Sequence, residues 1–140
     1  MYEHFEHEAD IGIRGIGSSV EEAFEEAAKA LFDVEVDVEK VEAKKKIVVK
    51  CEAENIEELF VEWLNSLLSQ ASLRDMVFSE FEVKIEKKER FFLEGTAKGE
   101  KLVPEKHNIK DEVKGATYSQ LKVYQDEKTK RWIAQCIVDV

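Results

Sequence analysis

Trp132-Ile133-Ala134-Gln135-Cys136-Ile137-Val138-Asp139-Val140, the closing stretch of the chain, is apolar on both of its alternating faces. A strand with one wet face alternates apolar and polar residues. One that is apolar on both faces is covered twice or lies inside a sheet. A terminal strand in that position needs neighbours from elsewhere in the chain. The stretch that suits it is His7-Glu8-Ala9-Asp10-Ile11-Gly12, after which Ile11 and Ile13 alternate with Gly12 and Arg14. Both stretches carry an aspartate in or beside the apolar run. Asp is a poor strand former and is seldom buried alone. Asp10 and Asp139 therefore point to one shared acidic site, provided the last strand is central. Two readings stand side by side. One is an oxygen-ligand site for a hard cation, with the free α-carboxylate of Val140 as a third anionic donor. The other is a pair of exposed or lysine-paired aspartates.

Working outward, residues 1–16 read as one or two short strands. Gly15 and Gly17 mark a turn. Ser18-Ser19 ahead of Glu21-Glu22 is a capping-box signature. The helix it opens buries Val20, Ala23, Phe24, Ala27, Ala28 and Leu31 on one face. Glu21, Glu22, Glu25 and Glu26 read as its solvated acidic side. Residues 33–43 read as an irregular connection, and Ile47, Val49, Cys51 and Ala53 alternate as a strand. Asn55, with Glu58 three residues on, starts a second helix with a stripe of Ile56, Leu59, Phe60, Trp63, Leu64, Leu67, Leu68 and Ala71. Phe81, Val83 and Ile85, a turn at Lys87-Lys88-Glu89, then Phe91, Leu93 and Ala97 predict a hairpin. Residues 99–114 have little periodicity and read as a long surface loop or an irregular strand; long loops often carry function. The expected fold is α+β and two-layer, with two amphipathic helices packed on a largely antiparallel mixed sheet.

The 140 residues fit a single domain over 1–140. A hydrophobic share of 44% with 37% charged residues is that of a globular chain, not a disordered one. Apolar runs are too short to span a membrane. Met1-Tyr2-Glu3-His4 has no basic or apolar leader character, so a cytoplasmic protein is expected. The net charge of −10 opposes stable direct nucleic-acid binding, which depends on Lys and Arg meeting phosphates. It favours a partner with a basic surface. Cys51 and Cys136 sit among apolar neighbours without zinc spacing and read as buried thiols.

Two carboxylates can perform acid–base chemistry. Asp10 and Asp139, however, bring no nucleophile or oxyanion donors. Lys114 is a solvated lysine, a partner of the acidic cluster or a phosphate contact. His7 is a ligand, a proton carrier or a structural histidine. His4 and His107 have no companion at useful spacing. Gly12, Gly15 and Gly17 lack the lysine and context of a phosphate loop.

The chain resembles the archease family on four stretches. They are His7-Glu8-Ala9-Asp10-Ile11-Gly12, the Ser-capped helix with Ala23-Phe24 and Ala27, Val113-Lys114-Gly115-Ala116-Thr117-Tyr118, and Ile137-Val138-Asp139-Val140. The first usually reads His-Thr-Ala-Asp in the family, so Glu8 departs from it and adds a carboxylate. The resemblance implies a non-catalytic activator of the GTP-dependent RtcB-type RNA ligase of tRNA splicing. Such a protein promotes guanylylation of the ligase's histidine and multiple turnover. It further implies a divalent cation, calcium or magnesium, on Asp10, Asp139 and Val140. Lys114 would act in activity, and His7 and Glu8 would lie beside the site. A metal-dependent phosphoester hydrolase and a metal-independent chaperone or adaptor are the rival readings.

Overall fold

The structure is a computed structural model and describes residues 1–7 and 9–140; the expectation for Glu8 lies outside the described residues. The chain runs β1 (Tyr2–His7), β2 (Asp10–Gly17), α1 (Val20–Glu35), β3 (Lys45–Ala53), α2 (Ile56–Arg74), β4 (Met76–Lys87) and β5 (Phe91–Lys101). A short helix α3 (Pro104–His107), β6 (Gly115–Ala116), β7 (Lys122–Gln125) and β8 (Trp132–Asp139) follow. Both predicted caps form. Ser19 Oγ accepts from Glu22 N–H at 3.1 Å, and Glu22 reaches back to Ser18 N–H at 2.9 Å. Asn55 Oδ1 accepts from Glu58 N–H at 2.9 Å. Such caps satisfy amides that a helix start otherwise leaves bare.

The α+β class and the two amphipathic helices agree with the sequence reading, and every ladder described is antiparallel. The strands, expected in one sheet, divide into two. One has the order β1-β2-β8-β6, with β7 also on β8; the other is β3-β5-β4. β8 is central, as its two apolar faces require. On β4, the Val83 N–H donates to Glu25 of α1 at 2.8 Å. Glu25 is thus no solvated residue. Burial raises its carboxyl, partly offset by that amide. Glu26 likewise meets the Met1 amino group and Lys29.

The two long helices, α1 and α2, each pack on strands of both sheets. α1 buries Ala23, Phe24, Ala27, Ala28, Leu31 and Phe32 completely. Its alanines let the backbone of β2 approach. A Cβ on Gly15 would overlap Ala23 O and Ala27 N, so this position tolerates no side chain. Trp63 of α2 is core, as predicted. Its Nε1 donates to Phe24 O at 3.1 Å, and its ring lies where a Gly95 Cβ would be. Cys136 is buried and Cys51 half-buried, both unpaired, and burial pushes both thiols up to about 12. No helix among the described residues is long and apolar enough to cross a membrane. Replacing Gly15 with Ala is expected to destabilise the fold by ~1–3 kcal/mol through forced separation of α1 from β2. Urea unfolding followed by circular dichroism measures it, and an unchanged midpoint would contradict this packing.

Candidate functional site

The β2–β8 ladder aligns Ile11 with Val138 and Ile13 with Cys136. One step further along this antiparallel register, Asp10 comes beside Asp139. On the flanks, His7 pairs with Asp10 and Gly115 with Asp139. His7, Asp10, Asp139 and Gly115 thus form one row across the end of the sheet. Directly paired positions share a face, so His7 and the two aspartates belong to one surface. Asp10 is half-buried and Asp139 exposed.

The same surface is braced behind the row. Arg14 Nε donates to Gln135 Oε1 at 2.9 Å, and its Nη1 to Glu3 Oε2 at 2.7 Å. The guanidinium sits 4.7 Å over the Phe5 ring, which itself lies where a Gly12 Cβ would be. This cross-strand clamp ties β1, β2 and β8 together two to four residues from Asp10.

Neither aspartate, nor Lys114, joins an ion pair among the described residues. The lysine-paired reading of the aspartates finds no partner there. His7 Nδ1 is buried and has no hydrogen-bond partner among the described residues; a buried polar atom left without one is costly. Among the described residues no three His, Cys, Asp or Glu side chains gather closely enough to hold a metal ion. A cation on Asp10 and Asp139 would therefore need a donor from outside that set, such as the Val140 carboxylate next in the chain. Carboxylate and carboxyl-terminal oxygens are the right chemistry for calcium or magnesium.

Lys114 reaches the row through its backbone, with its N–H donating to Asp139 O at 2.7 Å. Along the strand, alternation sends its side chain to the face opposite that of Gly115. There it lines a depression with Leu68, Leu73 and Glu112. The segment is fixed from both sides. Thr117 N–H and Oγ1–H both donate to Ile137 O, at 3.0 and 2.8 Å, and Ala116 N–H donates to Asn65 Oδ1 of α2 at 2.9 Å.

Sequence reasoning missed what residues 102–114 do. They form a strap over the C-terminal end of α1. Lys110 N–H donates to Glu35 O at 2.8 Å and Asp37 N–H to His107 O at 2.9 Å. Lys110 Nζ reaches Asp33 O at 2.9 Å, supplying the cation that the last turn of α1 lacks. The strap brings Lys110 and Asp111 beside Asp10, around a hollow of about 510 Å³ that also takes in Glu6 and Asp33. His107, without a companion by spacing, has one in space. It is fully buried, and its Nδ1 accepts from Val103 N–H at 2.9 Å. Its Nε2–H is then the donor to Glu100 Oε2 at 2.9 Å. Burial alone would raise the Glu100 carboxyl. The Glu42 amide, Lys106 and His107 together outweigh it and hold the group at about 2. The sequence signal was faint: one His placed just after the only proline.

The model of the Archease protein family (MTH1598/TM1083) matches residues 2–140. The chain belongs to the archease family. It is 47% identical to protein archease of Pyrococcus furiosus, covering 100% of this chain and 99% of that one. It is 50% identical to the protein archease of Pyrococcus abyssi, covering 99% and 98%. Among solved structures, the solution structure of Methanobacterium thermoautotrophicum protein 1598 superposes with a TM-score of 0.86 at 35% identity, covering 99% of this chain and 98% of that one. A Thermotoga maritima archease, described as a possible chaperone, shares the fold with a TM-score of 0.61 at 22% identity, covering 100% and 98%.

The Glu100 group gives a pH-dependent expectation. Its folded pKa, about 2, lies below its ordinary 4.5. Its contribution is therefore present in full above that ordinary value and is lost as pH falls toward the folded one. Glu100→Gln is expected to destabilise this archease by ~1–3 kcal/mol at neutral pH. The gap to wild type should narrow as pH falls below 4.5. Denaturant midpoints taken across that range decide it; a gap that does not change with pH would contradict the role of the Glu100 charge.

Proposed function

We propose that this archease is a non-catalytic activator of the GTP-dependent RtcB-type RNA ligase of tRNA splicing. It would promote guanylylation of the ligase's active-site histidine and so permit repeated turnover. The observation that carries the reading is the register of β2 on β8, which brings the two family aspartates, Asp10 and Asp139, to neighbouring places at an open end of the sheet. Family membership over the whole chain supports it.

In this reading Asp10, Asp139 and the carboxylate of Val140 hold a divalent cation, calcium or magnesium. When bound there, such a cation would supply positive charge beside the phosphate groups that the ligase handles. Asp10 and Asp139 orient that charge from rigid strand ends braced by the Arg14 clamp. His7 completes the row beside Asp10. Lys114 acts on the other face as a partner contact. The chain's charge of −10 favours encounter with a basic surface.

Single-turnover guanylylation of the cognate ligase tests the proposal. Wild type is expected to accelerate it, and Asp139→Ala to lose that acceleration while keeping its thermal unfolding profile. Equal acceleration by Asp139→Ala would remove the acidic row from the mechanism. No acceleration by wild type would remove the ligase. Extending the chain beyond Val140 converts the terminal carboxylate to an amide and is expected to weaken calcium binding by ~10-fold or more. Calorimetric titration measures this, and an unchanged affinity would strike Val140 from the donor set.

A further inference from the structure

A second surface lies on the opposite side of β8 from the acidic row's open face. The C-terminal turns of α2 and the strap at residues 109–113 form the walls of a groove of about 320 Å³. Its floor is apolar and includes Leu68, Ala71 and Val113. Ile109 in its wall is 53% exposed and Leu73, in the adjoining depression, is 79% exposed, an uncommon exposure for two large aliphatic side chains. The groove runs into the depression that Lys114 lines, sharing Leu68, Ser72, Glu112 and Val113 with it.

Its charge is one-sided. Glu35, Asp75, Asp111 and Glu112 line the groove, and none joins an ion pair among the described residues. Burial raises the Glu35 carboxyl, and the Val113 amide draws it back. Across the joined groove and depression, Lys114 is the one cation among the described lining residues. Asp75 caps the end of α2 in the left-handed region, and Arg74 in the last turn bends back to Gln70 at 2.8 Å. An apolar floor between carboxylate rims selects a chain that offers aliphatic side chains on one side and positive charges on the other.

We infer that the groove between α2 and the 109–113 strap docks a basic, leucine-like segment of a partner protein, with aliphatic side chains over Leu68 and Val113 and Lys or Arg against Asp75, Asp111 and Glu112. If the reading under Proposed function holds, that partner is the ligase; the inference rests on it for the partner's identity only. The segment would anchor the archease beside Lys114, while the acidic row on the other face stays open for activation. Binding and activation then separate by residue.

The test uses the full chain labelled for NMR and two short peptides, one alternating Lys and Leu, the other Lys and Gly. The Lys-Leu peptide is expected to bind roughly tenfold more tightly than its equally charged control, with shifts centred on Leu68, Leu73, Ile109 and Glu112. Leu73→Ser and Glu112→Lys, both at exposed positions, should each weaken it without changing the unfolding midpoint. Equal binding of the two peptides, or shifts centred elsewhere, overturns the inference. The cognate ligase should displace the Lys-Leu peptide. A ligase that leaves the peptide in place overturns the partner reading alone, because the groove is already assigned by the peptides.

Discussion

The alignment of β2 on β8 is the constraint on which the rest depends. A one-residue slip of β8 would turn Cys136 and Val138 out of the core and carry Asp139 to the wrong face. That cost is large because Cys136 and Val138 are both buried against the helices. The hydrophobic core thus fixes the register, and the register fixes the acidic row. Two aspartates at opposite ends of the chain meet because apolar residues next to them must be buried.

A second layer of constraint is the strap. It closes the end of α1 with backbone hydrogen bonds and is held down by Glu100 and His107 inside the protein. Apart from the single turn of α3, it lacks the period of a helix or strand, because its bonds after that turn go to distant partners such as Glu35 and Asp139. It links the two faces: one side lies against Asp10, the other walls the groove beside α2. Loss of the buried Glu100 charge would therefore loosen both surfaces together.

Much of this was legible in the sequence for a physical reason. The central place of the last strand followed from two apolar faces. Both helix starts followed from Ser19 and Asn55, whose side chains can accept from amides three residues on. The division into two sheets was not legible, and neither was the bond by which Glu25 reaches a β4 amide fifty-eight residues away. A helix-face glutamate that ends in water and one that meets a strand amide have the same spacing. His107 was opaque for the same reason: its partner Glu100 lies seven residues back, on a strand whose alternation shows nothing of that bond. The acidic row was visible as two aspartates beside apolar runs; its neighbour His7 was visible, but the burial of its Nδ1 was not.

The most direct measurement is a calcium titration of the uniformly labelled protein, followed at the carboxyl carbons. The account predicts that Asp10, Asp139 and the terminal carboxyl of Val140 shift together along one saturable curve, with the other carboxylates changing little. Shifts spread over the acidic surface without saturation, or saturation at carboxylates away from this row, would contradict it.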